Sequence, residues 1–141
     1  MSNDIVMVSG GFDPIHVGHI RLIREAAKYG DVIVAMNSDD WIFRQKGFNS
    51  IGFKERKEFL MSIKGVVEVV SVCDEDDTVC AALIEHKPTY FANGGPRNEE
   101  NTPEKIVCEE LGIQMLWGIG GKDKPQSSSW LVNKAMEQLN G

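Results

Sequence analysis

Two histidines three residues apart, His16 and His19, sit in the stretch Ser9-Gly10-Gly11-Phe12-Asp13-Pro14-Ile15-His16-Val17-Gly18-His19. Imidazoles at i and i+3 face the same side of a helix start. Gly10 and Gly11 let main chain approach a ligand closely, and Gly18 removes a side chain between the two rings. Adjacent amides, the positive end of a helix and two imidazoles together make an anion trap suited to phosphate. Two other readings stay open on spacing alone. One is a plain surface turn; the other is a zinc site, for which a third ligand of matching spacing is missing. The stretch contains neither GxGxxG nor GxxxxGK[ST], which excludes those two phosphate loops.

A trap of this kind has to be held by regular elements, and the chain supplies them in alternation. Residues 5–8, 31–36, 66–72, 89–92 and 114–117 read as short strands. The first three carry Val and Ile on both parities, which predicts burial on both faces. Between them run helical stripes: Ile20, Ile23, Ala26 and Ala27, stopping at Gly30; Phe59, Leu60 and Ile63, stopping at Gly65; then Val79, Leu83 and Ile84. A fourth helix has Thr102 as N-cap, Pro103 as first residue, Glu104 at the positive dipole end and Gly112 as its stop. A last one starts at Ser127–Ser129 and carries Leu131, Ala135 and Leu139. This order predicts one α/β domain over residues 1–141, Rossmann-like, with a five-stranded parallel sheet and helices on both faces. Ligands in such sheets bind beyond the carboxyl ends of the strands, so the loops after strands one, two and four matter most.

Composition narrows the partners. The chain has 141 residues, 42% hydrophobic and 26% charged, which is globular rather than disordered. Fifteen Lys and Arg against 21 Asp and Glu give a formal charge of −6. An acidic chain tracks a nucleic-acid backbone poorly, so no nucleic-acid partner is expected. No apolar run approaches the roughly 20 residues of a membrane span, and the N-terminus lacks the features of a signal peptide. Cys73, Cys80 and Cys108 are odd in number and form no CxxC, so they read as structural thiols. A cytoplasmic location, with no membrane partner, is the expectation. The acidic run 74–77 reads as a solvated loop whose end caps the next helix. Trp41, Trp117 and Trp130 read as core or interface residues rather than base-stacking platforms.

Gly11-Phe12-Asp13-Pro14 followed by His16-Val17-Gly18-His19 resembles the G-x-F-D-x-x-H-x-G-H signature of the cytidylyltransferase-like nucleotidyltransferase superfamily. The similarity continues through residues 34–39, then Arg44-Gln45-Lys46-Gly47 and Glu55-Arg56. That order resembles glycerol-3-phosphate cytidylyltransferases and the adenylyltransferase domain of heptose-phosphate enzymes. The resemblance implies transfer of a nucleoside monophosphate from CTP, ahead of ATP, to a phosphorylated polyol or sugar. Attack is direct and in line, and pyrophosphate leaves. Mg²⁺ accompanies the triphosphate, and the protein itself is assigned no metal site; a homodimer is implied. The same fold without catalysis, as a nucleotide-binding regulatory protein, is the alternative.

The resemblance also implies roles. His16, His19 and Lys46 act on the phosphates at the reacting centre. Gly10, Gly11, Phe12, Asp13, Gly18, Asn93, Gly94, Gly95, Ser127, Ser128 and Ser129 bind the nucleotide, with Phe12 and Asp13 on its phosphate and metal side. Arg44 and Lys46 are placed in the loop after strand two. Arg44, Arg56, Lys64 and Arg97 reach toward the acceptor, Arg97 standing where relatives often carry an acidic residue. Lys122 or Lys124 replaces an Arg-Thr pair that cytidylyl-transferring relatives commonly have before the serine turn.

Overall fold

Val6, Met7 and Val8 have no solvent exposure, because the strand that carries them, β1 (Ile5–Gly10), is the centre of the sheet. The computed structural model describes residues 4–76, 78–94, 102–120 and 137–138. Within them β2 (Asp31–Met36) pairs with β1 on one side, and β3 (Val66–Ser71) lies outside β2. On the other side β1 pairs with β4 (Tyr90–Ala92), and β4 with β5 (Gln114–Leu116). Every pairing is parallel, in the order β3-β2-β1-β4-β5. The chain moves outward from β1 to β3, then crosses over to β4, so the order reverses between β1 and β4.

Alternate residues of β1 feed two cores, as the two-residue period of a strand requires. Val6 and Val8 pack with Ile23 and Ala26 of α1 (Val17–Ala26) and Leu60 of α3 (Phe53–Met61). Met7 packs on the opposite face with Leu83 of α4 (Cys80–His86) and Cys108 of α5 (Lys105–Leu111). The five-stranded parallel sheet with helices on both faces is therefore the architecture the sequence predicts.

Several details differ from expectation. Valines on both parities do not make β3 a doubly buried strand: it lies at the sheet edge with one partner, and Val67 is half exposed. Residues 39–46, expected as loop, form a helix, α2 (Asp39–Lys46). Its punctuation is complete, since Ser38 Oγ accepts from the Trp41 amide at 3.0 Å and Gly47 ends it at φ 81°. Asp39 and Asp40 stand in its first turn and Arg44 and Lys46 in its last, matching the helix dipole. Phe59 faces solvent rather than joining the Leu60 stripe. α5 starts at Lys105, after a turn in which the Lys105 amide donates to the Thr102 carbonyl, rather than at Pro103.

Gly30 does not end α1, whose C-cap is Ala27. It is needed because a Cβ there would collide with the Asp4 carbonyl oxygen. The cysteines also divide: Cys108 is buried and Cys80 partly so, but Cys73 is exposed. Among the described residues no helix is long and apolar enough to cross a membrane.

Gly30→Ala is expected to cost about 1–3 kcal/mol, read as a lower urea midpoint, because backbone must shift to admit the methyl. Burial, then Glu104 and Cys80, raise the Cys108 thiol from 9.0 to about 11. The folded state thus keeps a proton that the unfolded chain loses, and stability falls as pH rises from about 9 to 11. Cys108→Ala should flatten that alkaline decline in urea titrations.

Candidate active site

Phe12 turns the chain out of β1 with a left-handed φ of 54°. For a residue with a Cβ that conformation costs about 1–3 kcal/mol. Its ring is 2% exposed and belongs to the core, and burial of a phenylalanine returns a comparable about 1.5–3 kcal/mol. A Cβ at Gly10 would come 3.2 Å from that ring, and one at Gly11 would come 3.4 Å from Ile42. The room these glycines leave is thus filled by Phe12 and Ile42.

α1 opens on a reciprocal cap built from the two histidines. His16 Nδ1 accepts from the Gly18 amide at 3.1 Å, and His19 Nδ1 accepts from the His16 amide at 3.2 Å. The Gly18 amide is therefore used within the cap. The rings stack with centroids 3.9 Å apart and planes at 28°, and His19 also packs on Phe12 at 4.7 Å. A ring nitrogen that accepts cannot carry the proton, so each neutral imidazole bears its hydrogen on Nε2. Two N–H donors at a helix N-terminus can hold oxygens of one phosphate chain.

The loops after β1, β2 and β3 are laced together around this cap. Lys46, at the end of α2, donates from Nζ to the Asp13 carbonyl at 3.0 Å, which brings its charge to the histidine loop. The Asp13 side chain is fully buried, and its two oxygens accept from the Ser50 and Ile51 amides at 2.8 Å each. Arg56 is also fully buried. One terminal nitrogen donates to the carbonyls of Gly11 at 2.6 Å and Asn37 at 3.0 Å; the other meets Asp39 Oδ1 at 2.6 Å. The structure thus gives Arg56 a bracing position beneath the site rather than one that reaches outward to an acceptor.

Asp74 departs from the solvated-loop expectation. It is 4% exposed and accepts from Asn37 Nδ2, the Ser38 amide and Ser38 Oγ at 2.8–3.1 Å. Asp76 keeps a helix-entry role: it accepts from the Thr78 amide and hydroxyl, which hold its carboxyl below the usual range. Arg44 turns toward the same loop and donates to the Asp74 carbonyl at 3.1 Å.

Lys64 is not brought to the histidines. It precedes β3, at the amino-terminal edge of the sheet, and lines a groove of about 970 Å³ with Arg21, Arg24 and Lys28 of the α1 side. Asn93 and Gly94 follow β4 at the carboxyl edge, next to the loop that leaves β1. Gly95, Arg97, Lys122, Lys124 and Ser127–Ser129 lie outside the described residues. Asn37, Asp39 and Asp74 escaped the reading of the sequence. The signal for the first two was available in Ser38-Asp39-Asp40 followed by Lys46-Gly47, a capped helix whose start must sit at the end of β2.

An open parallel sheet whose strand order reverses beside the histidine-capped start of α1 is the arrangement in which α/β domains bind ligands at the carboxyl ends of their strands. Residues 7–125 match the family model described as cytidylyltransferase-like, and the chain belongs to that family. It is 36% identical over 145 residues to the bifunctional protein HldE of Pelobacter propionicus, covering 96% of this chain and 28% of that one. The HldE of Geobacter metallireducens is 37% identical over 124 residues, covering 84% and 25%. The chain therefore spans only about a quarter of the length of these relatives. Among solved structures it is similar to a lipopolysaccharide core biosynthesis protein from Thermoplasma volcanium. The TM-score is 0.68 and the identity 23%, over 85% of this chain and 98% of the other. That likeness shows the fold.

Arg56→Ala leaves the carbonyls of Gly11 and Asn37 without this donor and empties a buried site, so a stability loss of about 3 kcal/mol is expected in urea unfolding. Arg56→Lys should recover little of it, because an ammonium cannot reproduce the guanidinium fork.

Proposed function

We propose that this chain is a nucleotidyltransferase moving CMP from CTP, or AMP from ATP, onto a phosphorylated small molecule such as a polyol or sugar phosphate. The observation that carries the proposal is the histidine cap, which fixes both Nε2–H groups as donors at one helix end beside Lys46. Family membership supports the reaction type.

The chemistry follows from those donors. A phosphate oxygen of the acceptor is already anionic, so it attacks the α-phosphorus without a base to remove a proton. As that bond forms, the bond from the α-phosphorus to the bridging oxygen breaks, and pyrophosphate leaves with the electron pair. Negative charge grows on the α-phosphate oxygens and the bridging oxygen. Two fixed N–H donors and an ammonium stabilise it without reorganising. No covalent enzyme intermediate is required; the protein positions and neutralises.

Mg²⁺ belongs to the proposal as the companion of the triphosphate. The described residues contain no group of three His, Cys, Asp or Glu able to hold an ion, and both Asp13 oxygens accept from main-chain amides. An ion there would rest mainly on phosphate oxygens and water, as Mg²⁺ commonly does.

The test is pyrophosphate release from CTP, ATP, UTP and GTP in the presence of phosphorylated polyols and sugars. With the productive pair, His16→Ala is expected to lose about 100-fold or more in kcat while keeping its fold. Near-normal release by that variant would remove the histidines from the chemistry. Triphosphate binding without release across the acceptor panel would instead favour a regulatory nucleotide-binding protein.

A further inference from the structure

Two segments leave the carboxyl ends of the strands where the sheet order reverses, between β1 and β4. One is the histidine loop; the other is the end of β4, where Asn93 stands. Asn93 is 2% exposed, and its main chain is fixed on both sides. Its amide donates to the Leu116 carbonyl at 2.8 Å, and its carbonyl accepts from the Ile119 amide at 3.0 Å. The side chain is fixed as well. Nδ2 donates to the carbonyls of Phe91 and Leu116, both at 3.2 Å. Exchanging the amide oxygen and nitrogen would set oxygen against two oxygens, so the orientation has one sense only.

Oδ1 is thereby turned away from those carbonyls. It is buried and has no hydrogen-bond partner among the described residues. A buried acceptor left in this state is costly and calls for an explanation. Both Nδ2 hydrogens are in use, so the free end of this side chain can only accept. Phosphate oxygens also only accept at neutral pH, which excludes the triphosphate as its partner. The remaining donors on CTP or ATP are the exocyclic amino group of the base and the ribose hydroxyls, whereas UTP and GTP also carry a ring N–H.

We infer that Asn93 is a specificity-determining residue for the nucleoside half of the substrate, its Oδ1 accepting a hydrogen bond from a base amino group or a ribose hydroxyl. The inference rests on the nucleotidyltransferase reading and adds which part of the nucleotide is selected, and by what. If the donor is the 4-amino group of cytosine or the 6-amino group of adenine, CTP is taken over UTP or ATP over GTP, since the oxo group at that position would face Oδ1 with another oxygen. If a hydroxyl is the donor, ribonucleotides are taken over the corresponding deoxynucleotides.

Titration calorimetry on the whole chain, without acceptor, separates these cases. The ligands are CTP, UTP, ATP and GTP, the 2′- and 3′-deoxy forms of the tightest binder, and inorganic tripolyphosphate. The native protein should bind the analogue that lacks the donor about tenfold or more weakly, along one of the two comparisons. In Asn93→Ala and Asn93→Ser that ratio should fall to within about twofold, with tripolyphosphate affinity unchanged. Equal affinities along both comparisons in the native protein would overturn the inference, and this holds even if neither variant folds. Folded variants that keep the full ratio would overturn it too. A native protein that binds no triphosphate and releases no pyrophosphate refutes the transferase reading itself, a result visible before any substitution is made.

Discussion

Each of two imidazoles gives one nitrogen to a main-chain amide at the start of α1, and everything distinctive about the site follows from that reciprocal cap. Helix starts are ordinarily closed by a hydroxyl and a carboxylate. Using histidines for the same task fixes their tautomer, stacks their rings and leaves the hydrogen of each on the far nitrogen. A carboxylate in either place would put negative charge at the helix start, where the proposed function needs donors for a triphosphate. The cap thus closes the helix and, in the proposed function, supplies the phosphate donors from the same two rings.

Holding that cap requires the three neighbouring loops to behave as one body. Arg56 joins Gly11, Asn37 and Asp39; Asp13 holds residues 50 and 51; Asp74 holds Asn37 and Ser38. Burying a guanidinium is costly unless its hydrogens are satisfied. Here its two terminal nitrogens make three hydrogen bonds, one of them to a half-exposed carboxylate, while Nε is buried without a partner among the described residues. Carboxylates that look available in the sequence, Asp13 and Asp74, are turned inward onto main-chain and side-chain donors. The consequence is that the charges of Asp13 and Asp74 are spent on donors within the fold, although the chain as a whole is acidic.

Much of this is legible from residue order, and the parts that are not share a cause. Val6 to Val8 and Val32 to Val34 announce central strands because both faces must be apolar. The same composition in β3 misleads, since only the pairing order reveals an edge. The histidine spacing announces the paired rings, because three residues at a helix start bring two rings together whatever lies elsewhere. Arg56 and Asp74 are different. Their burial depends on partners 45 and 36 residues away, which no local period records. α2 was legible from Ser38 and Gly47 but was hidden by its charged, weakly apolar sequence. Gly30 shows a related limit: it looks like a helix stop, yet serves the close approach of Asp4.

Long-range nitrogen NMR of the two imidazoles, with and without a bound triphosphate, reads the clasp directly. The predicted spectrum has His16 and His19 neutral with hydrogen on Nε2 in the free protein, and both Nε2 signals move when CTP or ATP binds. Hydrogen on Nδ1 in either ring, or signals that stay in place while the nucleotide is bound, would contradict it.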